Sequence, residues 1–109
     1  MTDRAELLQG SLDLLILKTL RLGPLHGWGI SKLIRQLSDD VLQVNQGSLY
    51  PALYRLEERG LVAAAWEVSP EGRRVKVYRL TPEGRKQFAA ERESWATFAR
   101  AVQRLLEAT

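Results

Sequence analysis

The residues best equipped for chemistry in this chain are cations gathered in one stretch. Between Arg73 and Lys86 lie Arg73, Arg74, Lys76, Arg79, Arg85 and Lys86, with Glu83 as the only carboxylate among them after Glu71. That segment carries a net charge of +5, while the whole 109-residue chain carries +3, so the remainder is −2. Paired arginines such as Arg73 and Arg74 at a hairpin tip suit phosphates or a narrow minor groove, where each contact releases counterions. Taken alone, a basic hairpin reads better as a solvated surface, and the elements around it must decide.

Other chemistry is thinly provided for. The chain has no cysteine, which excludes disulfide scaffolds, thiolate zinc sites and cysteine catalysis. His26 is the only histidine, with no HxxxH or HExxH spacing and no clustered carboxylates beside it. Metal sites and catalytic triads need such partners, so His26 is expected to be structural or to cap a helix. Gly27 and Gly29 bracket Trp28, but a GxG without a preceding strand is no nucleotide loop. These glycines instead suit close packing. The expectation is a protein without cofactor or metal that is not an enzyme.

The apolar run from Leu12 to Leu17 contains Asp13 and is followed by Lys18. It is far short of the roughly 20 residues a spanning helix needs. The start, Thr2-Asp3-Arg4-Ala5-Glu6, lacks the basic and apolar regions of a secretory signal. No membrane association is expected, and the cytosol is the expected compartment.

Breakers at Gly23-Pro24, Gly60, Ser69-Pro70-Glu71-Gly72 and Thr81-Pro82 divide the chain into five pieces. The first, from about Glu6 to Leu22, has Leu8, Leu12, Leu15, Ile16, Thr19 and Leu20 at helical intervals, widened by Leu7, Leu14 and Leu17. A helix apolar over so much of its surface is buried on more than one side. The second, about Gly27 to Leu37, has Ile30, Leu33, Ile34 and Leu37 in an amphipathic pattern. The third, about Gln46 to Arg59, carries Leu49, Leu53 and Leu56 as its stripe and Gly60 as a C′ glycine. Asn45 and Ser48 compete as its N-cap, and Pro51 is easier to accommodate if Ser48 is the start.

The fourth piece changes period. Leu61 to Val68 and Arg74 to Leu80 are rich in β-formers and flank a Pro-Gly turn, which predicts a β-hairpin. The last piece starts with Thr81 as N-cap and Pro82 at the first helical position, and can run to about Glu107. At 1.5 Å per residue it is roughly 39 Å long, more than a domain of this size needs. Phe88, Trp95 and Val102 recur every seven residues, with Phe98 and Leu105 three residues after the last two of them. Such a seam predicts pairing with a helix of a second subunit.

Three helices and then a hairpin is the order of a winged helix-turn-helix, in which the third helix enters the major groove and the hairpin is the wing. The predicted fold is therefore mainly α with a small β-hairpin. Residues 1–81 form the winged helix-turn-helix and residues 82–109 a long C-terminal dimerisation helix. On the third helix Gln46 and Ser48 lie near the N-terminus, and Tyr50, Tyr54 and Arg55 project away from the leucine stripe. These residues, with Arg73, Arg74 and Lys76 of the wing, are the predicted DNA contacts. Two bland readings stay open: Ser48 as a cap only, and Tyr50 packed under the wing. Lys76 and Arg79 could also face away, since alternate strand residues do. Trp28 and Trp66 are expected to be buried or half-buried packing residues.

Specific motifs add a resemblance. They are His26-Gly27-Trp28-Gly29-Ile30, Gln46-Gly47-Ser48-Leu49-Tyr50-Pro51-Ala52-Leu53, Leu56-Glu57-Glu58-Arg59-Gly60-Leu61, and Gly72-Arg73-Arg74 leading to Tyr78-Arg79-Leu80-Thr81 and Gly84. In this order and spacing the chain resembles the PadR family of bacterial transcriptional regulators, from about Leu7 to the end. One helix after the wing is similar to the short-C-terminus branch of that family. The resemblance implies a cytosolic homodimer, usually a repressor, on a pseudo-palindromic double-stranded DNA operator. Trp95 resembles the tryptophan that stacks planar ligands at the dimer interface of multidrug-sensing members. It implies a planar aromatic effector held by Trp95, Phe98 and Ala99. The predicted interface consists of Phe88, Trp95, Phe98, Val102 and Leu105, which could equally be plain apolar filling. A winged-helix module that binds proteins rather than DNA is the alternative, and the charge of the wing argues against it.

Overall fold

Each breaker in the sequence ends an element of the structure, a computed structural model that describes residues 4–109, with side chains from residue 11 onward. Leu7 and Leu8, expected on the apolar face of the first helix, lie outside the residues whose side chains are described. The order is α1 (Arg4–Leu22), β1 (Leu25–His26), α2 (Gly27–Leu37), α3 (Gln46–Glu58), β2 (Val62–Val68), β3 (Arg74–Leu80) and α4 (Pro82–Glu107).

The core is the convergence of the predicted stripes. Leu12, Ile16, Leu17 and Leu20 of α1 meet Ile30 and Ile34 of α2, and Leu49, Ala52, Leu53 and Leu56 of α3. Leu61, Val62, Tyr78 and Phe88 close it from the hairpin and α4. Thr19, buried among them, satisfies its hydroxyl by donating to the Ile16 carbonyl at 2.8 Å. α1 touches every other helix and β3, as its broad apolar surface required.

The end of α3 fixes where the wing begins. Gly60 sits at φ +75°, a left-handed conformation that favours glycine. Its N–H donates to Glu57 O and the next, of Leu61, to Leu56 O, both at 3.0 Å, closing a Schellman turn. β2 and β3 then pair antiparallel from Val62↔Leu80 to Val68↔Arg74. A short third strand was not foreseen: β1 pairs with β3 through Leu25↔Tyr78 and His26↔Val77, giving the order β1-β3-β2. Two residues carry no readable period, so this strand exists only through its partner.

His26 ends β1 and caps α2, its Nδ1 accepting from Gly29 N at 3.0 Å. Thr81 caps α4 by accepting from Gly84 N at 3.0 Å, and its hydroxyl donates to Gly60 O at 2.7 Å. That second bond ties the start of α4 to the end of α3. Gly84 permits this closeness, because a Cβ there would overlap the Leu61 carbonyl oxygen.

α4 then outruns the rest. The molecule measures 59 × 28 × 24 Å with a radius of gyration of 15.3 Å, against about 13 Å for a compact domain of this length. α1 packs on its first half, where Phe88 is buried and one Glu91 carboxylate oxygen is enclosed. The same stripe continues uncovered through Trp95, Phe98 and Leu105, which are exposed, with Val102 half-buried. Phe88 therefore fills its own subunit's core, which corrects its place in the predicted interface. The free part of the seam begins at Trp95.

Candidate nucleic-acid interface

Asn45, not Ser48, starts α3: its Oδ1 accepts from Ser48 N at 2.8 Å. Pro51 consequently lies inside the helix and removes the N–H that the Gly47 carbonyl would bind. Gly47 is exposed, so water can replace that partner. With Leu49, Leu53 and Leu56 buried, helical geometry turns Gly47, Pro51, Tyr54 and Glu58 to the outermost row. Gln46, Ser48 and Tyr50 are exposed on its flanks.

Tyr54 is 64% exposed, and its phenol is held above its ordinary range by a hydrogen bond to Glu58 and by that carboxylate's charge. Tyr50 packs against the start of α2. It is 42% exposed, yet its ring lies against Gly27, where a Cβ would come within 2.5 Å of the hydroxyl oxygen. Arg55 lies on the flank facing α1, 3.7 Å from the carboxylate of Asp13. Asp13 titrates above its ordinary range, first because burial disfavours its charge and then because Glu91 repels it, with Arg55 and Arg59 acting the other way.

The alternation of the hairpin sorts the wing cations. Arg74, Lys76 and Tyr78 share a face with Val68, Trp66 and Ala64, their directly opposite partners. This face looks toward α2 and α3. The Lys76 ammonium lies 3.7 Å from Glu57 of α3 and 5.7 Å from the Tyr78 ring centre, so it bridges wing and helix. Arg79 is on the opposite face, bonded to Glu67 at 2.8 Å. Arg73 stands exposed at the turn, where Gly72 takes φ +83° and Arg73 N donates to Ser69 Oγ at 3.2 Å.

A cleft of about 820 Å³ opens between these elements, lined by residues that include Tyr50, Arg73, Arg74 and Lys76. Tyr54 and Gln46 lie on the neighbouring exposed surface of α3, whereas Arg55 opens to a second hollow beside α1. Sequence reasoning missed two walls of the cleft. Trp28 and Trp66, expected to be at least half-buried, are 56% and 59% exposed. A usable signal was the strand parity that aligns Trp66 with Lys76 and Arg74.

Away from this surface, the Trp95 and Phe98 ring centres lie 5.9 Å apart at 38°, with Ala99 half-buried beside them. Among the described residues, no helix is long and apolar enough to cross a membrane.

Residues 16–90 match the family described as the transcriptional regulator PadR-like family. No curated protein matches the sequence. Among solved structures, a transcriptional regulator from Clostridium thermocellum is 29% identical with a TM-score of 0.85, covering 94% of this chain and 99% of that one. A PadR-like transcriptional regulator from Bacillus cereus is 26% identical at a TM-score of 0.81, over 95% and 99%. A PadR family transcriptional regulator from Eggerthella lenta is 32% identical at 0.78, over 96% and 89%.

Proposed function

The chain belongs to the PadR-like family of transcriptional regulators, and on that premise we propose that it is a homodimeric, ligand-responsive repressor that binds double-stranded DNA. The observation that supports DNA binding is the cleft in which Tyr50 of α3 adjoins Arg73, Arg74 and Lys76 of the wing, with Gln46 and Tyr54 exposed next to it. α3 enters the major groove with Gln46, Ser48, Tyr50 and Tyr54, and with Arg55 at its edge. Arg73 and Arg74 take phosphate or the minor groove, and Lys76 sets the wing against α3. Gel shifts with duplex fragments from the region upstream of its own coding sequence test this. Salt-sensitive retardation is expected, and no complex with any fragment at low salt overturns it.

Residues 1–81 act as the reading head and residues 82–109 as the dimerisation helix. The uncovered stripe of Trp95, Phe98, Val102 and Leu105 supports pairing with a second copy, since exposed apolar area of this kind favours association. Val102→Asp puts a charge in that seam and should give monomers in analytical ultracentrifugation. A dimer that survives places the interface elsewhere.

A planar aromatic effector stacks on Trp95, with Phe98 beside it and Ala99 leaving room. It acts on the separation of the two reading heads, and only to the extent that it prefers one dimer state. In a Trp28→Phe, Trp66→Phe background, planar aromatic cations or phenolic acids should quench Trp95 fluorescence. Absence of quenching leaves Trp95 structural. A repressor of this kind works in the cytosol.

A further inference from the structure

Two indoles line the cleft beside the wing, and each has a cation over its ring. On one side Trp28, in the first turn of α2, carries the Lys32 ammonium 5.0 Å from its ring centre, with Lys32 itself lining a neighbouring hollow. On the other, Trp66 of β2 carries the Arg74 guanidinium at 4.9 Å. Both indoles line the cleft, both are more than half exposed, and neither belongs to the buried core. Trp28 stacks on His26 at 6.2 Å, and the core accounts for neither indole.

Two other cations of the wing are differently placed. Lys76 lies by Glu57, and Arg79 is bonded to Glu67 on the far face. Arg74 has no carboxylate within ion-pair distance among the described residues, and an indole instead. A guanidinium held over a ring keeps its in-plane N–H donors for a bidentate acceptor such as phosphate. It has also lost part of its rotamer freedom before any ligand arrives. Glu71 is the only carboxylate lining the cleft.

We propose that this cleft seats the sugar–phosphate backbone of one DNA strand, with Trp66 holding Arg74 as a phosphate ligand and Trp28 forming a second apolar wall. The proposal rests on the DNA-binding reading above. Deoxyribose offers the indoles an apolar surface, and the adjoining phosphates meet the cations. Trp66 is a positioning residue that sets where the Arg74 charge stands.

A double-mutant cycle on duplex affinity, read by fluorescence anisotropy over a range of salt, tests the claim. Trp66→Leu keeps an apolar side chain and removes the ring, and should weaken binding roughly 5- to 30-fold, the span of an exposed to a desolvated cation–π contact. Trp66→Tyr should recover most of that loss. In an Arg74→Ala background Trp66→Leu should cost little more. Full affinity of Trp66→Leu overturns the proposal, and so does an equal loss with and without Arg74.

A second readout does not depend on Trp66→Leu folding. In a Trp28→Phe, Trp95→Phe variant, Trp66 is the only tryptophan, and iodide should quench it freely without DNA and poorly in the complex. Quenching that stays unchanged in a formed complex overturns the proposal while leaving DNA binding intact. If the unaltered protein binds no duplex, the underlying reading fails first.

Discussion

α3 and the wing border the same surface and are opposites in chemistry. The exposed side of α3 offers amides, hydroxyls and phenols through Gln46, Ser48, Tyr50 and Tyr54, then turns acidic at Glu58. Its cation Arg55 leans on Asp13 of α1. The wing offers charge, with Arg73 and Arg74 lacking carboxylate partners among the described residues, and Lys76 tied back to α3. Phosphate attraction is strong and blind to sequence, while base edges discriminate through hydrogen-bond pattern. The difference supports the proposed division of labour, in which the wing anchors and α3 reads.

The largest test removes the anchor. Arg73→Ala with Arg74→Ala should lower affinity on the order of 10- to 100-fold at moderate salt, on operator and random duplex alike. The slope of log K against log salt should shrink by about two units. An unchanged slope takes the wing out of the interface.

Removing a reader should do the reverse. Tyr54→Ala should cost roughly 5- to 30-fold on the selected site, within the usual range for a base contact, and leave random duplex and the salt slope unchanged. Arg55→Ala should likewise relax discrimination. Equal losses on both DNAs would instead make Arg55 a strut between α3 and α1.

Smaller changes sharpen the contrast through the scaffold. Asn45→Ala deletes the cap of α3 and should lower stability by about 1 kcal/mol in urea unfolding. Its effect on operator binding should exceed that on random duplex, because fraying reaches Gln46 and Ser48 before it reaches the wing. The least effect is expected from Asp13. Its carboxyl titrates above the ordinary 3.8, so the folded state holds that proton more firmly than the unfolded one. Ionising it therefore lowers stability as pH rises from about 4 toward neutrality, and the full stability belongs to the acid side of that window. Asp13→Asn should flatten this dependence in urea midpoints across the same range. A slope that persists assigns it to other groups.

The regular elements were legible because periodicity and punctuation agree along most of the chain. Leucines at three- and four-residue spacing, Gly60 and Thr81-Pro82 set α3 and α4 to within a residue or so of their ends. β1 was not legible, since two residues have no period and are fixed by pairing with Tyr78 and Val77. The cap of α3 was ambiguous because Asn45 and Ser48 are both good caps. It was settled by where the first free N–H groups fall, and Pro51 is tolerated because Gly47 is wet. Which side chains line the cleft was legible for Arg73, Arg74 and Lys76 and not for Trp28 and Trp66. Size and apolarity pointed those two inward, whereas the strand parity of Trp66 and the first-turn position of Trp28 turned them to the cleft. Phe88 shows the complementary limit: a heptad pattern does not say which half of a stripe its own chain will cover.

The central claim is sequence-specific binding by a two-fold dimer, and selection of bound duplexes from a random pool tests it most directly. The account predicts enrichment of an inverted repeat whose half-sites are one helical turn apart, roughly 34 Å, or a multiple of it. A pool that stays random through successive rounds, or a single asymmetric site bound by monomer, would contradict it.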